Sequence, residues 1–105
     1  MTDLSALETP ALAIDLDIVS ANIALQQGRA DAAGLRLRPH AKTVKSPEIA
    51  RMQIAAGAAG ICCAKLSEAV VMVDGGITDV LVTTPVVGER KIERLAELAA
   101  RGRIG

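Results

Sequence analysis

Leu35-Arg36-Leu37-Arg38-Pro39-His40-Ala41-Lys42-Thr43-Val44-Lys45 alternates apolar and basic side chains as far as Lys42. Successive side chains of a strand point to opposite faces. Leu35, Leu37, Pro39 and Ala41 then share one face, and Arg36, Arg38, His40 and Lys42 share the other. If the second face is buried, its cations must meet anions, because unpaired buried charge is strongly unfavourable. If it is exposed, the pattern requires no function.

Outward from this stretch the chain keeps alternating strand with helix. Ser46-Pro47-Glu48 marks a helix start: Ser46 accepts from free amides, Pro47 suits the first helical position, and Glu48 complements the dipole. That helix runs to about Ala56 and ends at Gly57. Gly60–Ala64 reads as a short buried strand, and Ser67 with Glu68 opens a helix that stops at Gly75-Gly76. A strand follows at Asp79–Thr84. The helix over 89–100 presents Ile92, Leu95, Ala96 and Ala99 as its apolar side. Towards the N-terminus, 11–15 reads as a strand. Asp15 or Asp17 caps a helix over 18–33, with Ile18, Ala21 and Leu25 on one face and Gly34 as its stop.

Four strand–helix units in order imply parallel strands joined by right-handed crossovers. No GxGxxG follows the first strand, so a dinucleotide site has no local support. The fold class expected is α/β: a partial (β/α)8 barrel of about four units, where a whole barrel needs ~250 residues. Arg101–Gly105 reads as a turn and the beginning of a further strand, so the chain is expected to be a fragment or a truncated product.

Composition narrows the function. The chain has 105 residues, half of them hydrophobic, and a formal net charge of zero. A free nucleic-acid binder usually carries a basic excess, and no apolar run approaches the ~20 residues of a membrane span. The N-terminus shows neither a basic n-region nor an apolar h-region. Neither nucleic acid nor membrane is therefore expected as a partner, and a cytoplasmic address is the default. The two cysteines, Cys62 and Cys63, are adjacent and closer than disulfide geometry prefers, so both are read as reduced.

Barrel enzymes carry their working residues at the C-terminal ends of strands. That rule selects Asp15, His40 with Lys42, Cys63 with Lys65, and Thr83 with Thr84. Lys42 stands out, because Arg38 and His40 lie on its face and nearby cations disfavour a charged amine. A neutral lysine attacks carbonyls. The plain alternative is a solvated loop lysine. His40, the one histidine, either contacts a ligand or satisfies a strand end. No Cys/His pair has zinc-ligand spacing.

Three stretches carry a resemblance: Thr9–Asp17, Leu37-Arg-Pro-His-Ala-Lys-Thr-Val-Lys-Ser-Pro-Glu-Ile-Ala50, and Gly60-Ile-Cys-Cys-Ala-Lys-Leu-Ser-Glu-Ala69. They resemble the N-terminal part of the D-threonine aldolase family, alanine-racemase-like, fold-type III pyridoxal 5'-phosphate (PLP) enzymes related to eukaryotic-type D-serine dehydratase. Arg-Pro-His-x-Lys-Thr is its specific core. The resemblance implies that residues 1–105 are the N-terminal portion of a PLP-binding barrel, with the rest of the barrel and a β-rich domain beyond them. It places the Schiff-base lysine at Lys42, and puts Arg38, His40 and Thr43 in the cofactor's neighbourhood. It implies retro-aldol cleavage of D-3-hydroxy amino acids, a small D-amino acid as substrate, and a divalent metal such as Mn²⁺ with ligands outside this chain. A homodimer is an open expectation. The rival readings are dehydratase chemistry, a non-catalytic PLP-binding barrel, and an inactive truncation. Val44 departs from the family, which usually has His there. The resemblance also implies that the first strand packs with the β-rich domain, leaving the barrel one strand fewer.

Overall fold

The computed structural model describes residues 3–105, and it orders them as helices packed on one side of a parallel sheet. A short 3₁₀ turn at Leu4–Ala6 leads to α1 (Leu16–Ala32). Asp15 caps α1 by accepting from the amides of Asp17 and Ile18, and Gly34, at φ 67°, takes the left-handed turn beyond its end. Helix α2 (Pro47–Ala55) starts as its sequence dictates, with Ser46 Oγ accepting from the Ile49 amide. Then come β1 (Ile61–Cys63), α3 (Leu66–Asp74), β2 (Asp79–Val82), α4 (Glu89–Ala99) and β3 (Arg103–Ile104).

The sheet order is β1-β2-β3, all parallel, with Cys62 opposite Leu81 and Val80 opposite Ile104. The stretch quoted first lies beside β1 in the same direction. His40 forms an isolated parallel bridge with Cys62. The Ala41 amide donates to Cys62 O and the Cys62 amide to Pro39 O, at 2.8 and 2.7 Å. The strand expected over 35–42 is thus a bridged edge segment rather than a full strand. It ends at Ala41, where the chain enters a turn closed by the Lys45 amide donating to Ala41 O.

Two expectations fail. Residues 11–15 form no strand; they run exposed and unpaired into α1, because no neighbouring strand lies beside them to accept their backbone groups. The apolar side of α4 is also displaced. Leu98 is its buried residue, at 3% exposure, while Ile92 is 55% exposed. The sheet neighbours follow sequence order, as in part of an alanine-racemase-like domain, and the sheet formed by the described residues is open.

The core lies between the sheet and α2, α3 and α4. Ile61, Cys63 and Val80 point inward from the strands to meet Ala50, Ala69, Met72, Val73, Ile77 and Leu98. Alternation therefore turns Cys62, Leu81 and the polar strand-end residues to the other face.

Candidate active site

On that other face, the edge segment reaches across β1 twice. Arg38 Nη1 donates to Asp79 Oδ1 at 2.7 Å, and both side chains are about three-quarters buried. One cation of this face, Arg38, does meet an anion. The crossing requires Gly60: a Cβ there would fall 2.3 Å from Arg38 Nη1 and 2.6 Å from Asp79 O. One step nearer the C-terminal rim, His40 Nε2 lies 3.3 Å from Thr83 Oγ1. Thr83 Oγ1 donates in turn to Cys63 O at 3.2 Å.

Lys42 stands beyond the last bridge, in the turn over 41–44. Strand parity therefore does not reach it, and its position comes from the turn. Its amide donates to His40 Nδ1 at 3.2 Å. Its side chain is exposed and has no ion-pair partner among the described residues. Lys45 differs: its ammonium lies 3.5 Å from Glu68 Oε1. Lys65 sits at the start of α3. Arg38, one of the two cations expected to discharge Lys42, is committed to Asp79. Thr43 and Val44 are exposed in the same turn, Val44 at 42%.

Glu68 joins the rim to the helix layer. Its Oε2 accepts from the amides of Ala64 and Lys65 at 2.8 and 3.2 Å. Burial works against its charge, yet these two amides and Lys45 together hold the carboxyl below its usual range. Thr84 Oγ1 donates to Ala64 O, which ties the ends of β1 and β2 together. Between those ends and α4 lies a cleft of about 540 Å³ lined by Lys65, Ser67, Thr84, Lys91 and Arg94 among others. Among the described residues no three His, Cys, Asp or Glu side chains gather as a metal site. No helix there is long and apolar enough to cross a membrane.

Of the residues selected from the sequence, His40, Lys42, Lys65, Thr83 and Thr84 all lie along one rim of the sheet, Asp15 lies away from it as a helix cap, and Cys63 turns into the buried core. The sequence does not single out Asp79 or Gly60 as site residues. Each is unremarkable in its own stretch, and only the packing of β2 and β1 beside Arg38 reveals their part.

A parallel α/β sheet with an amine, an imidazole and hydroxyls at the C-terminal ends of its strands defines a class of enzyme-bearing scaffolds. Comparison narrows the class. No protein-family model matches the chain. It is 46% identical over 101 residues to D-threonine aldolase of Arthrobacter sp., covering 96% of this chain and 27% of that protein. Its fold matches the crystal structure of D-threonine aldolase from Filomicrobium marinum with TM-score 0.93 and 52% identity, over 97% of this chain and 28% of that one. It also matches the C353A mutant of D-threo-3-hydroxyaspartate dehydratase in its metal-free form, with TM-score 0.86 and 43% identity, over 97% and 27% of the two chains. The resemblance to the D-threonine aldolase family, a family of lyases that includes this dehydratase, is thereby shown. The chain spans only about a quarter of the length of these relatives and corresponds to an N-terminal part of them.

Proposed function

We propose that this chain supplies the cofactor-anchoring rim of a PLP-dependent lyase that cleaves D-3-hydroxy amino acids to glycine and an aldehyde. One observation carries the reading: Lys42 presents an exposed amine with no ion-pair partner among the described residues, at the C-terminal rim and within the segment that resembles the family's Arg-Pro-His-x-Lys-Thr core. The residues fit the cofactor. A primary amine is the group that binds its aldehyde carbon, and among the described residues Lys45 is paired with Glu68 while Lys42 meets no carboxylate. PLP, when bound, withdraws electrons from the bonds at the amino acid's Cα. The chain's own residues would anchor and orient: Lys42 would hold the cofactor, Arg38 is fixed by Asp79, and His40 and Thr43 border the lysine.

Loss of water instead of carbon–carbon cleavage is the second reading, favoured by the likeness to the dehydratase. In a protein that carries this chain, glycine and acetaldehyde from D-threonine would support the aldolase reading, and a 2-oxo acid would support the dehydratase.

Borohydride reduction of the PLP-loaded protein followed by peptide mass mapping is expected to place a phosphopyridoxyl group on Lys42. Lys42→Ala should abolish the adduct and Lys45→Ala should leave it. An adduct at full occupancy in Lys42→Ala would sink the assignment.

A further inference from the structure

His40 is bonded through both ring nitrogens, and the partners settle which one carries the proton. A backbone N–H can only donate, so the contact from the Lys42 amide to Nδ1 makes Nδ1 an acceptor. The neutral imidazole then carries its hydrogen on Nε2. Thr83 Oγ1 spends its own hydrogen on Cys63 O and is left to accept from Nε2. Every donor in the relay from the Lys42 amide through His40 and Thr83 to Cys63 O thus has one acceptor, and no alternative orientation satisfies all three contacts. The anchor is rigid, since Cys63 is fully buried and Cys63 O also accepts from the Thr83 amide at 2.8 Å. The Lys42 turn, by contrast, is exposed, and leaves the sheet at a single bridge.

We propose that His40 is a positioning residue: as the Nε2–H tautomer it pins the Lys42 backbone to the ends of β1 and β2, with Thr83 as the intermediate hydroxyl. Its meaning for catalysis rests on Lys42 being the cofactor lysine; the pin itself does not. Alanine at 40 removes the acceptor from the Lys42 amide. Asparagine at 40 restores an acceptor near Nδ1 without an imidazole. Valine at 83 preserves shape and removes the relay hydroxyl.

The test uses the whole 105-residue chain, ¹⁵N-labelled and without cofactor. Imidazole ¹⁵N spectra should show a bare Nδ1 and a protonated Nε2. Exchange of the Lys42 amide with solvent should accelerate roughly three- to tenfold in His40→Ala, the worth of one ordinary hydrogen bond, less in Thr83→Val, and least in His40→Asn. A protonated Nδ1, or equal exchange in wild type and His40→Ala, would overturn the pin. Thr83→Val guards against His40→Ala failing to fold. PLP trapping then follows the same order if the pinned backbone serves the lysine. Equal trapping on Lys42 in wild type and His40→Ala would overturn the positioning role while upholding the lysine. In a protein that carries this chain together with the remainder its relatives have, a bonded His40 with no trapping anywhere would uphold the pin and overturn the PLP reading.

Discussion

Cys62 and Cys63 share a backbone and part company at the side chain. Cys63 faces the helix layer and is fully buried, whereas Cys62 lies on the rim face, half-buried, its Sγ 3.8 Å from Arg38 O. Burial pushes the Cys63 thiol up to about 11, with Glu68 and Cys62 adding to the effect. The thiolate is the nucleophile, so Cys63 should be silent toward an aromatic disulfide reagent at pH 8 in the folded chain. Titration is expected to count at most one fast thiol in the native protein and two in guanidinium. Two fast thiols under native conditions would contradict the burial.

Two features of the elements are open to measurement. Helix α3 begins with Glu68 accepting two backbone amides, and its carboxyl is held below the usual range. A depressed folded-state value means that the stabilisation is complete above the unfolded carboxylate pKa of ~4.3 and is lost as pH falls through the folded value. Glu68→Ala should cost about 1 kcal/mol at pH 7, the usual worth of a cap, and nearly nothing at pH 2. Urea unfolding at the two pH values decides this; an equal cost at both would show that charge plays no part. Helix α4 is anchored by Leu98. Leu98→Ala should destabilise by about 2–5 kcal/mol, while Ile92→Ala should stay within about 0.5 kcal/mol. Comparable losses in thermal unfolding would mean that α4 is rotated from its observed setting.

As a whole the described molecule is a slab, 47 × 41 × 20 Å, with a radius of gyration of 15.8 Å. A compact domain of ~100 residues has ~13 Å. Its accessible surface of 7304 Å² exceeds the ~5,500 Å² that its mass scales to in a closed monomer. The excess lies in unpaired edges beside His40 and Ile104 and in exposed apolar residues such as Leu12, Leu16, Ile18 and Leu35. Open edges and large apolar surface favour association. Sedimentation of the 105-residue chain at micromolar concentration should therefore show species larger than a monomer. A single monomeric boundary with well-dispersed amide signals would count against this.

The features legible in the chain before folding are local ones. Asp15, Ser46-Pro47 and Gly34 mark helix ends through bonds to atoms a few residues away, and α1, α2 and α4 begin and end within two residues of where those signals place them. The strand–helix alternation and the Arg-Pro-His-x-Lys core are legible for the same reason: each is written in contiguous residues. Tertiary structure alone decided the rest. Residues 11–15 have strand composition, but a strand exists only where a neighbour accepts its amides. Periodicity along α4 offers more than one apolar stripe, and the sheet chose the one containing Leu98. Arg38 needed an anion 41 residues away, and Gly60 had to be small because that ion pair crosses it. The Lys42 amide meets an imidazole two residues back, and that imidazole meets a hydroxyl 43 residues further along the chain. Partners so distant in sequence meet only when parallel strands are laid side by side, so their identity is carried by the fold and not by any stretch of the chain.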